Sequence, residues 1–328
     1  MQTDFLILGY GFTARYAAYR LLKEFPNKAI TIIARHEDFN NSYSARDDYI
    51  FLRYGKEGKI RTLLEDLKIL NKHSWHTKRD VKIGFLKGDK VSSKVSDKIK
   101  EAYYEKVFDG STTAEKLKGN IKHFYNSQRM VNVKYSLLLG ALHNYIKDKF
   151  TKVEDEIMVV DVEHHKARLS NNEEIYYRHL ISTVPLDIFQ KSLFFPMLSG
   201  LINELSSLLS KKELYYYLAP YTRMQGYDQL YVLDKDSPVL RFIKTSTGTI
   251  IKETFERSSE EPLSVEPYGK LMVNNFNKVN NITGLDSFFS ELAAKNVYLA
   301  GRVAKWQSYH YTEDNMKDID EILQNLIS

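Results

Sequence analysis

The sequence predicts an α/β fold with a nucleotide-binding core built on a parallel sheet, and three observations carry that reading. Residues 5–35 run strand, helix, strand. "FLILG" and "ITIIA" are short apolar runs of the kind that form strands buried on both faces, and Ala14, Ala17, Ala18, Leu21 and Leu22 recur between them at helical spacing. A Gly-x-Gly-x-x-Ala turn, Gly9 to Ala14, joins the first strand to the helix. Much later in the chain, "HLISTVPL" (179–186) and "NVYLAGR" (296–302) read as further apolar strands that complete the sheet.

The turn has a mechanical logic. Gly9 permits the tight reversal, and Gly11 lets the backbone approach a pyrophosphate closely. The small Ala14 lets the helix pack against the strand, and the amides of its first residues, Phe12 and Thr13 included, face the anion. Phe25-Pro26-Asn27 stops the helix. The second strand is less orthodox. A carboxylate at its end would accept ribose hydroxyls, and Ala34 cannot. Arg35 and His36 beyond it suit a 2′-phosphate, as in NADP binding, or an adenine ring to stack beside, or a plain solvated strand end.

Between these pieces the chain changes character. Residues 36–58 are polar and irregular, and from about 60 to 150 helical patterns dominate: "IRTLLEDLKIL", "VSDKIKEAYYEKVF" and "YSLLLGALHNYIKDKF". "IMVVDVE" (157–163) is a strand, and "KARLSNNEEI" is a hairpin around Asn171-Asn172. From 194 to 285 helix and strand alternate, with strands expected in "ELYYYLAPY", "QLYVL", "LRFIKT" and "TIIKETF". "NMKDIDEILQNLI" is a closing helix. The simplest arrangement is a core of 1–55, 151–190 and 286–328, with 56–150 and 191–285 forming a substrate or cap domain.

Composition narrows the functions. The 328 residues are 43% hydrophobic, enough for a sizeable core and two domains. The net charge of +5 is spread among interleaved acids, as in "DKIKEAYYEKVFDG", so it reads as a solvated surface and argues against nucleic acid as a partner. There is no cysteine, which excludes disulfides, thiolate metal sites, a cysteine nucleophile and a cysteinyl-linked flavin, and fits a reducing cytoplasm. No apolar run is long enough to span a membrane, and no signal peptide precedes the first strand. His164-His165 and the pair His73/His76 lack further ligands at metal spacing, so no metal is expected.

Taken together, "IMVVDVE", "HLISTVPL" and "NVYLAGRVAKWQSYHYTEDNM" resemble the flavin amine oxidase and UDP-galactopyranose mutase superfamily. "IKEAYYEKVFDGSTTAEKLKG" (99–119) is similar to the mutase branch's helix-and-turn signature, and "SPVLRFIK" (237–244) with "GTIIKETF" (248–255) resembles its Arg-bearing substrate strand and the next one. The likeness is weak residue by residue but follows the chain in order. It implies a Rossmann-like FAD-binding core assembled from discontinuous segments, with an inserted mixed helix/strand substrate domain. It also implies FAD, held non-covalently, with NADPH as a candidate reductant. The pyrophosphate would lie at Gly9–Ala14 and Gly301-Arg302, the adenine near Ile157, and the flavin above the closing helix start that contains Asp314. Arg241 would clamp a substrate diphosphate, and Tyr309 and Tyr311, with Trp306 and His310, would stand at the flavin face.

Departures from the family pattern accompany the likeness. Ala34 stands where an acid is usual, Asn40-Asn41 where a Gly-Gly pair is usual, and "YGKEGKI" lacks the histidine of a Gly-Pro-His stretch. Three functions remain open. One is an FAD-dependent oxidoreductase removing hydride from a carbon bearing nitrogen or oxygen, on a polar, anionic or nucleotide-linked small molecule. The second is a mutase-type nucleotide-sugar isomerase using reduced flavin, and the third a catalytically inactive dinucleotide-binding protein. On strand "VLRFIK", alternation would place Val239, Arg241 and Ile243 on one face, and Leu240 and Phe242 on the other. "YYYLAPY" (215–221) is either a pocket of stacked rings or a half-buried strand.

Overall fold

The computed structural model describes residues 1–36, 39, 52–54, 58–69, 82–108, 129–131, 135–208, 215–220, 224, 226–244, 248–259, 264–265, 285–305 and 312–327. In chain order the elements begin with β1 (Gln2–Leu8), α1 (Phe12–Glu24), β2 (Ile30–Ala34), β3 (Leu52–Tyr54), α2 (Lys59–Asp66), β4 (Ile83–Lys87) and β5 (Lys90–Ser92). There follow α3 (Asp97–Phe108), β6 (Arg129–Val131), α4 (Tyr135–Ile146), β7 (Thr151–Glu154), β8 (Ile157–Asp161), β9 (Lys166–Leu169), β10 (Glu174–Ser182) and α5 (Leu186–Ser192). The chain continues through β11 (Leu193–Phe194), α6 (Ser199–Leu208), β12 (Tyr215–Ala219), β13 (Gln229–Val232), β14 (Val239–Lys244) and β15 (Ile250–Thr254). It closes with β16 (Ser264–Val265), α7 (Leu285–Ala294), β17 (Val297–Leu299) and α8 (Thr312–Ile327). They form two compact units, 1–42 with 139–209 and 278–328, and 43–138 with 210–277.

The first unit holds a parallel sheet in the order β17-β10-β1-β2-β7, each neighbouring pair running the same way. The chain steps outward from β1 to β2 to β7, then crosses back to lay β10 on the other side of β1. The order therefore reverses between β1 and β10, where open sheets of this type leave a crevice at their carboxyl ends. All five residues of β2 are buried, as a strand covered on both faces requires. Helix α1 buries Ala14, Ala17, Ala18 and Leu21 completely, and Phe25 caps it by donating its amide to the Leu21 carbonyl. Tyr16 and Arg20 of α1 both bond Asp320, which joins the first helix to the last. Outside the parallel layer, β8 and β9 form an antiparallel hairpin continued by the start of β10.

Two details differ from the sequence reading. "EIYYRHLIS" is one strand, β10, so the hairpin arm and the later buried strand are continuous: its start pairs with β9, and from Tyr176 onward it pairs with β1 and then β17. The stretch read as helical between 60 and 150 contains β4 and β5. Ile83, Phe85 and Leu86 are too few to show a period, and β4 is fixed by parallel pairing with the distant β13.

The second unit is built on a seven-stranded sheet, β16-β12-β15-β14-β13-β4-β5, with a separate antiparallel pair of β3 and β6. Its core includes Leu86, Met224, Leu230, Val232 and Ile250. "YYYLA" is a half-buried strand: Tyr216 and Tyr217 are 1% exposed, while Leu218 faces solvent. Among the described residues, no helix is long and apolar enough to cross a membrane.

Candidate dinucleotide site

The carboxyl ends of β1, β10 and β17 stand level. Leu8 pairs with Ser182, and Ser182 with Leu299, so Gly9, Thr183 and the Ala300-Gly301 step follow side by side. Gly9 has φ +96°, and a Cβ there would lie 2.7 Å from Thr183 Oγ1. That hydroxyl is fixed in place, because it donates to the Leu8 carbonyl at 2.7 Å. Only glycine satisfies both the turn and the clearance. The sequence pattern explains Gly9 but not Thr183, whose role comes from a strand that joins the sheet much later.

Gly11 differs. It is the N-cap of α1 in extended conformation, and among the described residues a Cβ on it would meet nothing within 4 Å. No side chain caps the helix, and its first turn carries no acid. The leading amides of α1 thus lie at the positive end of the helix dipole, which is the arrangement that binds a phosphate. Ala14 is fully buried behind them, and Phe12 nearly so.

The last segment of the unit closes on the same helix end. Gly301, at φ +94°, lies so near Thr13 that a Cβ would stand 2.8 Å from its Oγ1. The Gly301 amide donates to Asp318 Oδ2 at 2.8 Å and the Arg302 amide to Asn315 Oδ1 at 3.1 Å. Lys305 Nζ holds the other Asp318 oxygen at 2.5 Å. Helix α8 therefore anchors the Gly-Arg turn through Asp318 and Asn315, two residues that the sequence offers only as polar positions of an amphipathic helix. Arg302 and Asp314 are half-buried beside this turn.

Behind the glycine turn lies a cluster that motif reading passes over. A lone arginine in an amphipathic helix reads as its wet face, yet Arg15 is wholly buried. Its guanidinium sits 4.2 Å from the centre of the Tyr10 ring, and its Nη1 donates to the Leu139 carbonyl. The Tyr10 hydroxyl meets His143 Nδ1 at 2.6 Å. Burial, reinforced by the Arg15 charge, pushes the His143 pKa down. Arg15 adds fixed positive charge to the helix end that would face an anion.

At the carboxyl end of β2, beside the glycine turn, Ala34 is 6% exposed and offers no polar group. Arg35 and His36 follow it on the surface, and His36 Nδ1 bonds Glu154. Ile157 is the half-buried first residue of β8. His164 bonds Asp161, its neighbour on the same turn. Tyr309, Tyr311, Trp306, His310, His73, His76 and Asn40-Asn41 lie outside the described residues.

Arg241 lies in the second unit. A β-bulge between Val239 and Arg241 breaks the expected alternation, so that Leu240 and Ile243 are the buried residues of β14. The Arg241 Nε bonds Glu253 on β15, and its Nη1 donates to the Tyr231 hydroxyl at 3.3 Å. Tyr216 completes the network by donating to Glu253 Oε1 at 2.8 Å. Burial opposes the Arg241 charge, but Glu253 outweighs it and holds the guanidinium pKa well above its ordinary value. The arginine's charge is thus met within its own sheet.

No protein-family model and no curated protein sequence matches this chain. Solved structures share its fold over nearly the whole length. A reduced UDP-galactopyranose mutase aligns with a TM-score of 0.67 at 14% identity, covering 99% of this chain and 94% of its own. A CLA-producing fatty acid isomerase from P. acnes gives 0.66 at 10% identity, covering 98% of each chain. A putrescine oxidase redesigned in its cofactor binding gives 0.59 at 11% identity over 100% of both. The chain therefore shares the Rossmann-type α/β fold of these solved structures.

Proposed function

We propose that the protein is a flavoenzyme that holds FAD non-covalently at the crevice between β1 and β10. One observation supports this above the others: the first and last segments of the sheet converge on one uncapped helix end, with Gly11 open in front of it and Gly301 packed against Thr13. The amides of Phe12, Thr13 and Ala14 and the side chain of Arg302 would hold the pyrophosphate, with Arg15 contributing charge from behind. Ile157 and Arg35 would border the adenosine half, and Asp314 the flavin half. With no cysteine in the chain, attachment through sulfur is impossible.

When bound, FAD supplies hydride acceptance from a carbon bearing nitrogen or oxygen. The chain would orient the substrate through Arg241, Tyr309 and Tyr311 and keep water from the reacting carbon. Because Glu253 already balances Arg241, this arginine would act as a directed hydrogen-bond donor to a polar or nucleotide-linked substrate more than as a naked charge. A cysteine-free chain suits a reducing compartment, and we place the activity in the cytoplasm.

Likeness to a mutase over nearly the full length of both chains supports a second, redox-neutral reading on a nucleotide sugar, with NADPH serving only to reduce the flavin. Anaerobic mixing of the FAD-loaded protein with polyamines and with UDP-galactose separates the two. The oxidoreductase reading expects one class of substrate to bleach the flavin absorbance stoichiometrically. The isomerase reading expects turnover only after prior reduction, without consumption of reductant. A loaded protein that does neither with any amine, alcohol or nucleotide sugar contradicts both and supports a binding protein without catalysis.

A further inference from the structure

We infer that Glu154, on the strand next to β2, supplies the ribose-binding carboxylate that Ala34 lacks; this rests on the dinucleotide reading above. In open nucleotide-binding sheets, an acid at the carboxyl end of the second strand accepts the ribose hydroxyls. Here that position is Ala34, which has no polar side chain. The sheet register pairs Ala34 directly with Glu154, and the two strands run parallel. Register partners on parallel strands project to the same face. Glu154 is thus one strand-spacing from the usual place, about 4.8 Å to the side, at the same height and on the same face.

The carboxylate is also prepared for the task. It is exposed at the strand end, and Lys152 Nζ engages one oxygen while His36 Nδ1 engages the other. Each oxygen keeps a further lone pair for a hydroxyl donor. His36 follows β2 and Lys152 lies on β7, so both strands orient the acid. Glu154 has a second consequence. A carboxylate at the ribose edge repels a 2′-phosphate, so Arg35 and His36, which by themselves suit one, are balanced toward a free 2′-hydroxyl.

The test is titration of the full-length protein, stripped of any bound nucleotide, with FAD and with its 2′-deoxyadenosine analogue, for wild type, E154Q and E154A. Flavin fluorescence reports binding, and melting curves without nucleotide report folding. Wild type should bind FAD roughly ten- to a hundredfold more tightly than the analogue. E154A should weaken FAD by a similar factor and bind the two ligands alike, with E154Q between. All three should melt alike, because Glu154 is exposed. NADPH affinity should rise in E154Q. The inference is overturned if E154A binds FAD as wild type does, or weakens FAD yet still discriminates against the analogue. If wild type binds FAD tightly in those cases, the cofactor reading survives alone. If wild type binds neither flavin nucleotide, both fall together.

Discussion

Replacing Arg241 with alanine should lower the stability of the protein by about 3–5 kcal/mol, a loss visible as an early unfolding transition in urea. The reason is the company the arginine keeps. Glu253 is 5% exposed on its side chain and Arg241 is 21% exposed, so the pair lies largely out of water. Removing one member of such a pair leaves a charge that water cannot reach, and this costs far more than the pair itself contributes. Tyr216 still donates to Glu253, but a neutral hydroxyl does not offset a lost guanidinium. Glu253→Gln added to Arg241→Ala should restore part of the loss. Stability of the single variant within 1 kcal/mol of wild type, or no recovery in the double variant, would show that the network is weaker than its geometry implies.

The second large effect falls on binding. Gly11→Val should weaken FAD roughly hundredfold or more, equivalent to about 3 kcal/mol, while leaving the fold intact. Gly11 sits at φ −70°, which valine tolerates, and its Cβ would point into space where no atom of the described residues lies within 4 Å. That space is where a phosphate would approach the α1 amides, so the added methyls exclude the ligand and not the protein. Exchanging glycine for valine at an N-cap costs on the order of 1 kcal/mol of helix stability, too little to unfold the unit. Melting without nucleotide should therefore stay within a few degrees of wild type. Unchanged FAD affinity would mean that the turn is structural only.

The parts of this fold that depend on neighbours in sequence are legible in the amino-acid order alone. The Gly9–Ala14 turn, its flanking strands, the stop at Phe25-Pro26 and the reversal at Asn171-Asn172 are all local events, set by φ preferences and by spacing. What is not legible there depends on strand pairing. β4 has only a few apolar residues, and its identity comes from β13, far along the chain. The partner of Arg241 is Glu253 because β14 pairs with β15 and a bulge shifts the faces. Arg15 has the pattern of a surface residue, and only the fold encloses it between Tyr10 and Leu139. Asp318 and Asn315 become anchors of Gly301-Arg302 only when α8 is laid against the turn. Ala34 reads as a gap in the motif because a motif compares positions along one strand, whereas the sheet supplies Glu154 from the next.

The most direct measurement is an equilibrium titration of the nucleotide-free protein with FAD, followed by flavin fluorescence and the visible spectrum, with NADPH titrated in parallel. The account predicts saturable binding of one FAD per chain, tighter than NADPH, with the flavin released intact on denaturation. Tight binding of NADPH with no binding of FAD would contradict it.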